Sequence, residues 1–246
     1  MRSHRVLGGP LRGQRIITSW HDYPAAILGR TELPLLAWFE QNVKPGETWL
    51  DVGAHYGYTA IALSRLVGKS GRVFAFEPML STAGYLTQTR RLNNLSQLTI
   101  LPYGLGLPET VTMASLPVTR GMVDSTIESE GNSKGQETWS EHFAIARFDW
   151  LWPRICSGDS KIDGVKIDVQ GMETEVLTGM VETLKSQCPK LVVELHRGVD
   201  RGKFLDAVTA AGYARDAVPI EPADGETSTL YFDDHSYYFP AQQSRV

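Results

Sequence analysis

The chain has 246 residues, enough to bury one full core with a short appendage, and its 24 Lys+Arg against 28 Asp+Glu leave a formal charge of −4 at pH 7. The charges are dispersed, so no basic stripe marks a nucleic-acid partner, and no apolar run approaches the ~20 residues of a membrane span. The opening ten residues carry no signal-peptide core, and Cys156 and Cys188 stand without a C-x-x-C partner, so a zinc site is disfavoured and a cytoplasmic location is expected.

Residues 1–30 read as a basic, Gly-rich appendage with one β-like run, Gln14–Ser19, and the main domain is expected over 31–240. From Leu28 to Asn42 the positions Leu33, Leu35, Leu36, Trp38 and Phe39 keep a helical period, with Thr31 as N-cap and Glu32 in the first turn. An acid there favours the helix dipole; on a helix crossing the mouth of a site it is also a candidate ligand. Pro45-Gly46 breaks the chain before Trp49–Thr59, the stretch around which the rest is organised. Its apolar run ends in Asp51, turns through Gly53 and Gly57, and enters a helix from Ala60, the plan of a nucleotide-binding βα unit. The glycines admit conformations and close approaches that a Cβ would block, and the helix N-terminus offers unpaired N–H groups.

This loop lacks the Gly-Lys-Ser/Thr of a phosphate loop and the third glycine of a dinucleotide fingerprint. An acid at the strand end would repel a pyrophosphate. It suits a ligand that joins an ammonium group to a nucleoside, such as S-adenosylmethionine, with a ligand-free structural turn as the alternative. Val73–Phe76 then ends in Glu77-Pro78, 26 residues past Asp51. A carboxylate at that next strand tip can accept both ribose hydroxyls, and Pro78 fixes the turn. A helix over Leu80–Asn94 and a short strand, Leu98–Leu101, lead to Pro102–Gly106, a loop expected beside the base, with Gly104 and Leu105 as adenine contacts.

Residues 108–148 break the βα rhythm: strands at Val111–Ser115 and Phe143–Arg147 flank a polar segment, 121–140, that reads as a lid, a substrate loop or disorder. Asp124, Ser125, Trp139 and His142 lie on or near it, solvated unless it folds over the pocket. The rhythm returns with a strand over Asp163–Asp168 and a helix through Val176, Leu177, Met180 and Leu184. On the strand Lys190–His196, Glu194 and His196 share a face, where a buried acid and imidazole form either a polar network or part of a site. A helix over Phe204–Ala211, short strands at Gly212–Arg215 and Ser228–Phe232, and a surface tail, His235–Pro240, complete the chain.

Asp51-Val-Gly-Ala-His-Tyr-Gly57, Phe76-Glu-Pro78, Phe148-Asp149, Val165–Glu173 and Val193-Glu-Leu-His196 together resemble the FkbM-type S-adenosylmethionine-dependent methyltransferases over roughly residues 30–233. The block Lys166-Ile-Asp-Val-x-Gly-x-Glu173 is the most particular. The resemblance implies an α/β, class I (Rossmann-like) methyltransferase fold, a seven-stranded, mostly parallel sheet with helices on both faces. It implies S-adenosylmethionine as cofactor and methyl transfer to a hydroxyl of a sugar or secondary metabolite. Two positions depart from the family pattern. His55 stands where Asn is usual, and either side chain can donate to the methionine carboxylate. Gln170 stands where Glu is common; a chemical role there would be lost, whereas a capping role survives with Gln.

Loop position and resemblance assign Asp51, Gly53 and His55 to the methionine end, Tyr58 and Thr59 to its carboxylate, Glu77 to the ribose, and Pro78, Met79, Gly104 and Leu105 to the adenine border. Glu32 and Asp168 are further cofactor candidates, Asp168 either orienting the amine or holding the acceptor hydroxyl. An alcohol needs a positioned base, so Asp168, Glu194 and His196 are the catalytic candidates, with His196 the better base near neutral pH. Glu194 and His196 satisfying only each other is the competing reading. A divalent cation on this set is disfavoured because no second carboxylate flanks Asp168 at Gln170, so no metal is expected. The expected partner is a small hydroxylated acceptor, and a homo-oligomer is left open. A catalytically silent cofactor-binding module and an NAD-dependent oxidoreductase are the alternatives.

Overall fold

The computed structural model describes residues 1–118, 139–156 and 161–242; Asp124, Ser125 and the side chain of Trp139 lie outside what is described. Strands β1 (Arg2–Arg5) and β2 (Arg15–Thr18) pair antiparallel, and helices α1 (Pro24–Leu28) and α2 (Leu33–Asn42) follow. The helix expected over Leu28–Asn42 begins later, at Leu33, and α1, which ends at Leu28, was not anticipated. Gly29 closes α1 at φ 69°, where a Cβ would collide with the Gly8 carbonyl oxygen. Glu32 sits at the N-cap of α2 with φ 55°, not in its first turn, and Thr31 precedes the cap.

The central run is β3 (Thr48–Val52), α3 (Tyr58–Val67), β4 (Arg72–Phe76), α4 (Leu80–Leu92) and β5 (Leu98–Leu101). After it come β6 (Tyr103–Leu105), β7 (Thr112–Val118), β8 (Trp139–Ala146) and α5 (Phe148–Ile155). The last part comprises β9 (Gly164–Ile167), α6 (Glu173–Gly179), α7 (Val181–Gln187), β10 (Lys190–Leu195), α8 (Arg201–Ala210), β11 (Val218–Pro219) and β12 (His235–Phe239). Seven strands form one sheet in the order β11-β12-β10-β9-β3-β4-β5. Neighbours from β10 to β5 pair parallel, and β12 is antiparallel to both β10 and β11. This is the class I methyltransferase architecture.

Alternation along the strands feeds two cores. Leu50, Val52, Val165 and Val193 join Leu151, Leu177 and Phe204 of α5, α6 and α8 on one face. Trp49, Val73, Ala75 and Val192 join Phe39, Ile61 and Leu86 of α2, α3 and α4 on the other. Burial on both faces is why these strands read as continuous apolar runs. A carboxylate sets the start of α7: Asp149 accepts hydrogen bonds from the Glu182 and Thr183 amides and the Thr183 hydroxyl.

Three expectations about elements are corrected. Pro102–Gly106, expected as a loop, contains β6, which pairs with β8 in a three-stranded sheet β6-β8-β7. There Leu105 is buried in the core with Phe76 and Phe148, and a Cβ on Gly104 would meet Phe143 at 3.1 Å. The strands expected at Gly212–Arg215 and Ser228–Phe232 are single bridges, Tyr213 to Ala241 and Thr227 to Leu230. The supposed surface tail is β12, whose Tyr237 and Phe239 are fully buried between β10 and β11. No helix among the described residues is long and apolar enough to cross a membrane.

Candidate functional site

The parallel strands present their carboxyl ends to one edge, where ligands of such sheets bind. The β3–α3 loop turns there through Gly53, His55 and Gly57 at φ 81°, 48° and 93°. Gly53 is required by packing, since a Cβ would collide with the Asp168 carbonyl oxygen from the tip of β9. His55 adopts the left-handed region, which Asn and His tolerate better than most residues, so an Asn–His exchange here has a backbone reason. Burial pulls its imidazole down to about 4, leaving it neutral.

Glu77 stands at the next tip, 6% exposed. The His55 amide donates to Oε2 at 2.9 Å and the Met79 amide to Oε1 at 3.0 Å. Burial outweighs these bonds and pushes the carboxyl up to about 7. Each oxygen retains acceptor capacity, and Pro78 and Met79 flank it half-buried, with Met79 against Leu116 and Phe143 of the small sheet.

Asp51, expected at the methionine end, is turned inward at the tip of β3. Register places it opposite Lys166 of β9, whose Nζ lies 3.4 Å from Oδ1, while the Thr59 hydroxyl donates to Oδ2 at 2.8 Å. Asp51 is wholly buried and Thr59 nearly so; the hydroxyl satisfies Oδ2, while Oδ1 is buried with no hydrogen-bond partner. Lys166 also reaches Asp168 Oδ2 at 3.0 Å. Burial opposes its charge, but Asp168, Asp51 and Glu32 outweigh burial and hold the ammonium above its usual range. The Tyr58 hydroxyl, by contrast, is buried with no hydrogen-bond partner, and burial together with the charge of Glu32 pushes it up to about 12. That orphaned donor and the surplus of carboxylates at these tips fit a ligand carrying both a carboxylate and positive charge.

Asp168, Glu194 and His196 are brought together. His196 Nδ1 donates to Glu173 Oε1 at 2.7 Å, so Nε2 faces Asp168 Oδ1 and Glu194 Oε1, each at 3.5 Å, with Gln170 Nε2 at 3.0 Å. Burial favours neutral His196, yet the Glu173 hydrogen bond and the charge of Asp168 push it up to about 9. These two groups favour the protonated imidazole, so Nε2 must give up its proton before it can act as the base the sequence suggested. Burial, then Asp168 and Glu32, push Glu194 up to about 8. Burial also raises Asp168, but Lys166 and then His196 hold it below the usual carboxylate range. Gln170 supplies no acid beside Asp168, and the second carboxylate of the group is Glu194 from the neighbouring strand.

Glu32 joins this group: burial pushes it up, Lys166 draws it down, and it lines a cleft of about 160 Å³ with Glu194, Glu221, Asp234 and Ser236. Of six described non-glycine residues with left-handed φ, four (Glu32, His55, Gln170 and Asp234) ring this edge, the clustering expected of a functional site. His142 is exposed on β8, apart from this group. Sequence reasoning missed Lys166 and Glu173. Both lie in the quoted Lys166–Glu173 block, and a lysine inside an apolar strand was the available signal.

The family pattern described as the Methyltransferase FkbM domain matches residues 51–217. The chain is 30% identical over 172 residues to the hexuronic acid methyltransferase AglP of Haloferax volcanii, covering 70% of this chain and 65% of that protein. It superposes on the methyltransferase FkbM of Methylobacillus flagellatus with TM-score 0.50 and 16% identity, over 89% of this chain but 53% of that one. Fibrillarin of Aeropyrum pernix, crystallised with natively bound S-adenosyl-L-methionine, superposes with TM-score 0.52 and 16% identity over 96% and 87% of the two chains. At such identities the structural likenesses speak for the fold alone.

Proposed function

The chain belongs to the FkbM methyltransferase family, with S-adenosylmethionine as its cofactor, and from that premise we propose that it methylates a hydroxyl of a small, sugar-like acceptor. The observation that carries this reading is the convergence of Asp168, Glu194 and His196 beside the cleft bordered by Glu32. When bound, the cofactor supplies an electrophilic methyl group. Glu77 accepts the ribose hydroxyls, and the Tyr58 hydroxyl donates to the methionine carboxylate beside the Gly53–His55 turn. Pro78 and Met79 border the adenine. Asp51 and Thr59 act one step back, fixing Lys166, which keeps Asp168 ionised.

On the acceptor side the cluster must hold one oxygen in line with the methyl group and take up its proton, because an alcohol is a poor nucleophile until deprotonated. Asp168, kept ionised by Lys166, accepts that hydrogen bond and takes the proton as the oxygen gains its methyl group, while Glu194 and His196, fixed by Glu173, hold the hydroxyl in place. The acidic lining and the hexuronic acid relative both direct the search to hydroxyl-rich sugars. The test is incubation with S-adenosylmethionine and a panel of neutral sugars, amino sugars and uronic acids. Release of S-adenosylhomocysteine and a product heavier by one CH2 are the expected results. Cofactor binding without product across the panel would make the chain a silent binding module instead.

A further inference from the structure

We propose that Asp168, Glu194 and His196 form a binding site for one divalent cation. Asp168 Oδ1 and Glu194 Oε1 each lie 3.5 Å from His196 Nε2, and the three ligand atoms all fall within 4.8 Å of one another. Those separations are too long for good hydrogen bonds. They match neighbouring donors around one ion, since metal–ligand bonds of about 2.0–2.6 Å place adjacent donors about 3–3.7 Å apart.

The supporting groups are arranged as a metal histidine requires. Glu173 is fully buried, held by the Gly171 amide at 3.0 Å, and engages Nδ1, so the other ring nitrogen is turned toward the two carboxylates. A carboxylate behind the imidazole fixes the tautomer and the ring plane of a ligating histidine. Lys166 occupies Asp168 Oδ2 at 3.0 Å, which leaves Oδ1 facing the site. Gln170 lies beside Nε2 at 3.0 Å, and a half-turn of its amide presents a carbonyl oxygen as a fourth donor. The donors come from the tips of two adjacent parallel strands, so the set is formed before any ion arrives.

Two carboxylate oxygens with one imidazole and no thiolate suit a hard or borderline ion, with Mn2+ the best match among common divalent metals. Glu194 also lines the acidic cleft, so positions on the ion remain open toward it. There a bound cation polarises an acceptor hydroxyl; this part rests on the methyl-transfer reading, whereas ion binding does not.

The experiment is titration of the full-length, chelator-treated chain with Mn2+, followed by electron paramagnetic resonance, without cofactor or acceptor. One ion per chain is expected, with affinity lowered at least tenfold in Glu194→Gln and in Glu173→Gln, both checked for folding by thermal melting. No saturable Mn2+, Mg2+ or Zn2+ binding up to about 1 mM, or binding unchanged in both folded variants, would overturn the site. Methyl transfer that persists in chelator with no ion bound would overturn the ion's polarising role while leaving the enzyme reading intact. Mn2+ bound as expected in a chain with no transferase activity would do the reverse.

Discussion

Replacing Lys166 with Met keeps a long apolar stem in the same volume and removes one charge. The ammonium lies 3.0 Å from Asp168 and 3.4 Å from Asp51, which is fully buried. At an effective dielectric of about 20, each contact is worth about 5 kcal/mol before desolvation is counted. Much of that sum offsets the cost of burying three ions. Removing one partner strands the others, and the expected net loss is about 3–5 kcal/mol. Urea unfolding at pH 7, followed by tryptophan fluorescence, measures it. Without the lysine Asp168 loses the partner that holds it below the usual carboxylate range, so the deficit shrinks as pH falls and that acid protonates. Adding Asp51→Asn to the variant recovers part of the loss. A deficit below about 1 kcal/mol, or one independent of pH, would refute the claim that Lys166 neutralises both acids.

Gly53→Ala drives a Cβ into the Asp168 carbonyl oxygen at φ 81°, so a loss of at least about 2 kcal/mol is expected in chemical denaturation; a native-like midpoint would contradict the close approach. Glu77 is raised from the usual 4.5 to about 7, so the folded apo chain binds more protons than the unfolded one between those values. Its contribution to stability is present below about pH 4.5 and is lost as pH rises to about 7, an effect of about 3 kcal/mol at most, which Glu77→Gln flattens in melts across that window. Asp149→Ala removes the acceptor at the start of α7 and costs about 1 kcal/mol while leaving methyl transfer intact; loss of activity with unchanged melting would give Asp149 a chemical role.

How much of this was legible depended on burial and on register. The central strands β3, β4, β9 and β10 announce themselves because two-sided burial makes them largely apolar runs, whereas β5, at the sheet edge, exposes Thr99. The final strand hid because His235-Ser-Tyr-Tyr-Phe239 mixes polar and aromatic residues, and its fate is set by antiparallel pairing with β10, far away in sequence. Pro102–Gly106 has the composition of a turn, yet β8 recruits its middle as a strand. Three acids at strand tips were visible in order along the chain, and Asp168, Glu194 and His196 do converge. The inward turn of Asp51 was not visible, since only the register Asp51–Lys166 reveals its partner. The left-handed backbone of Glu32 and Gln170 likewise follows from the loops around them, not from their own side chains.

The central claim is that the cofactor lies along this strand-tip edge with its ribose on Glu77. Isothermal titration of S-adenosylhomocysteine into the native chain and into Glu77→Ala, with circular dichroism confirming an unchanged fold, tests it most directly. Loss of charge-assisted hydrogen bonds worth about 1.5–3 kcal/mol predicts an affinity at least tenfold weaker in the variant. Equal affinity in the two proteins would contradict the account.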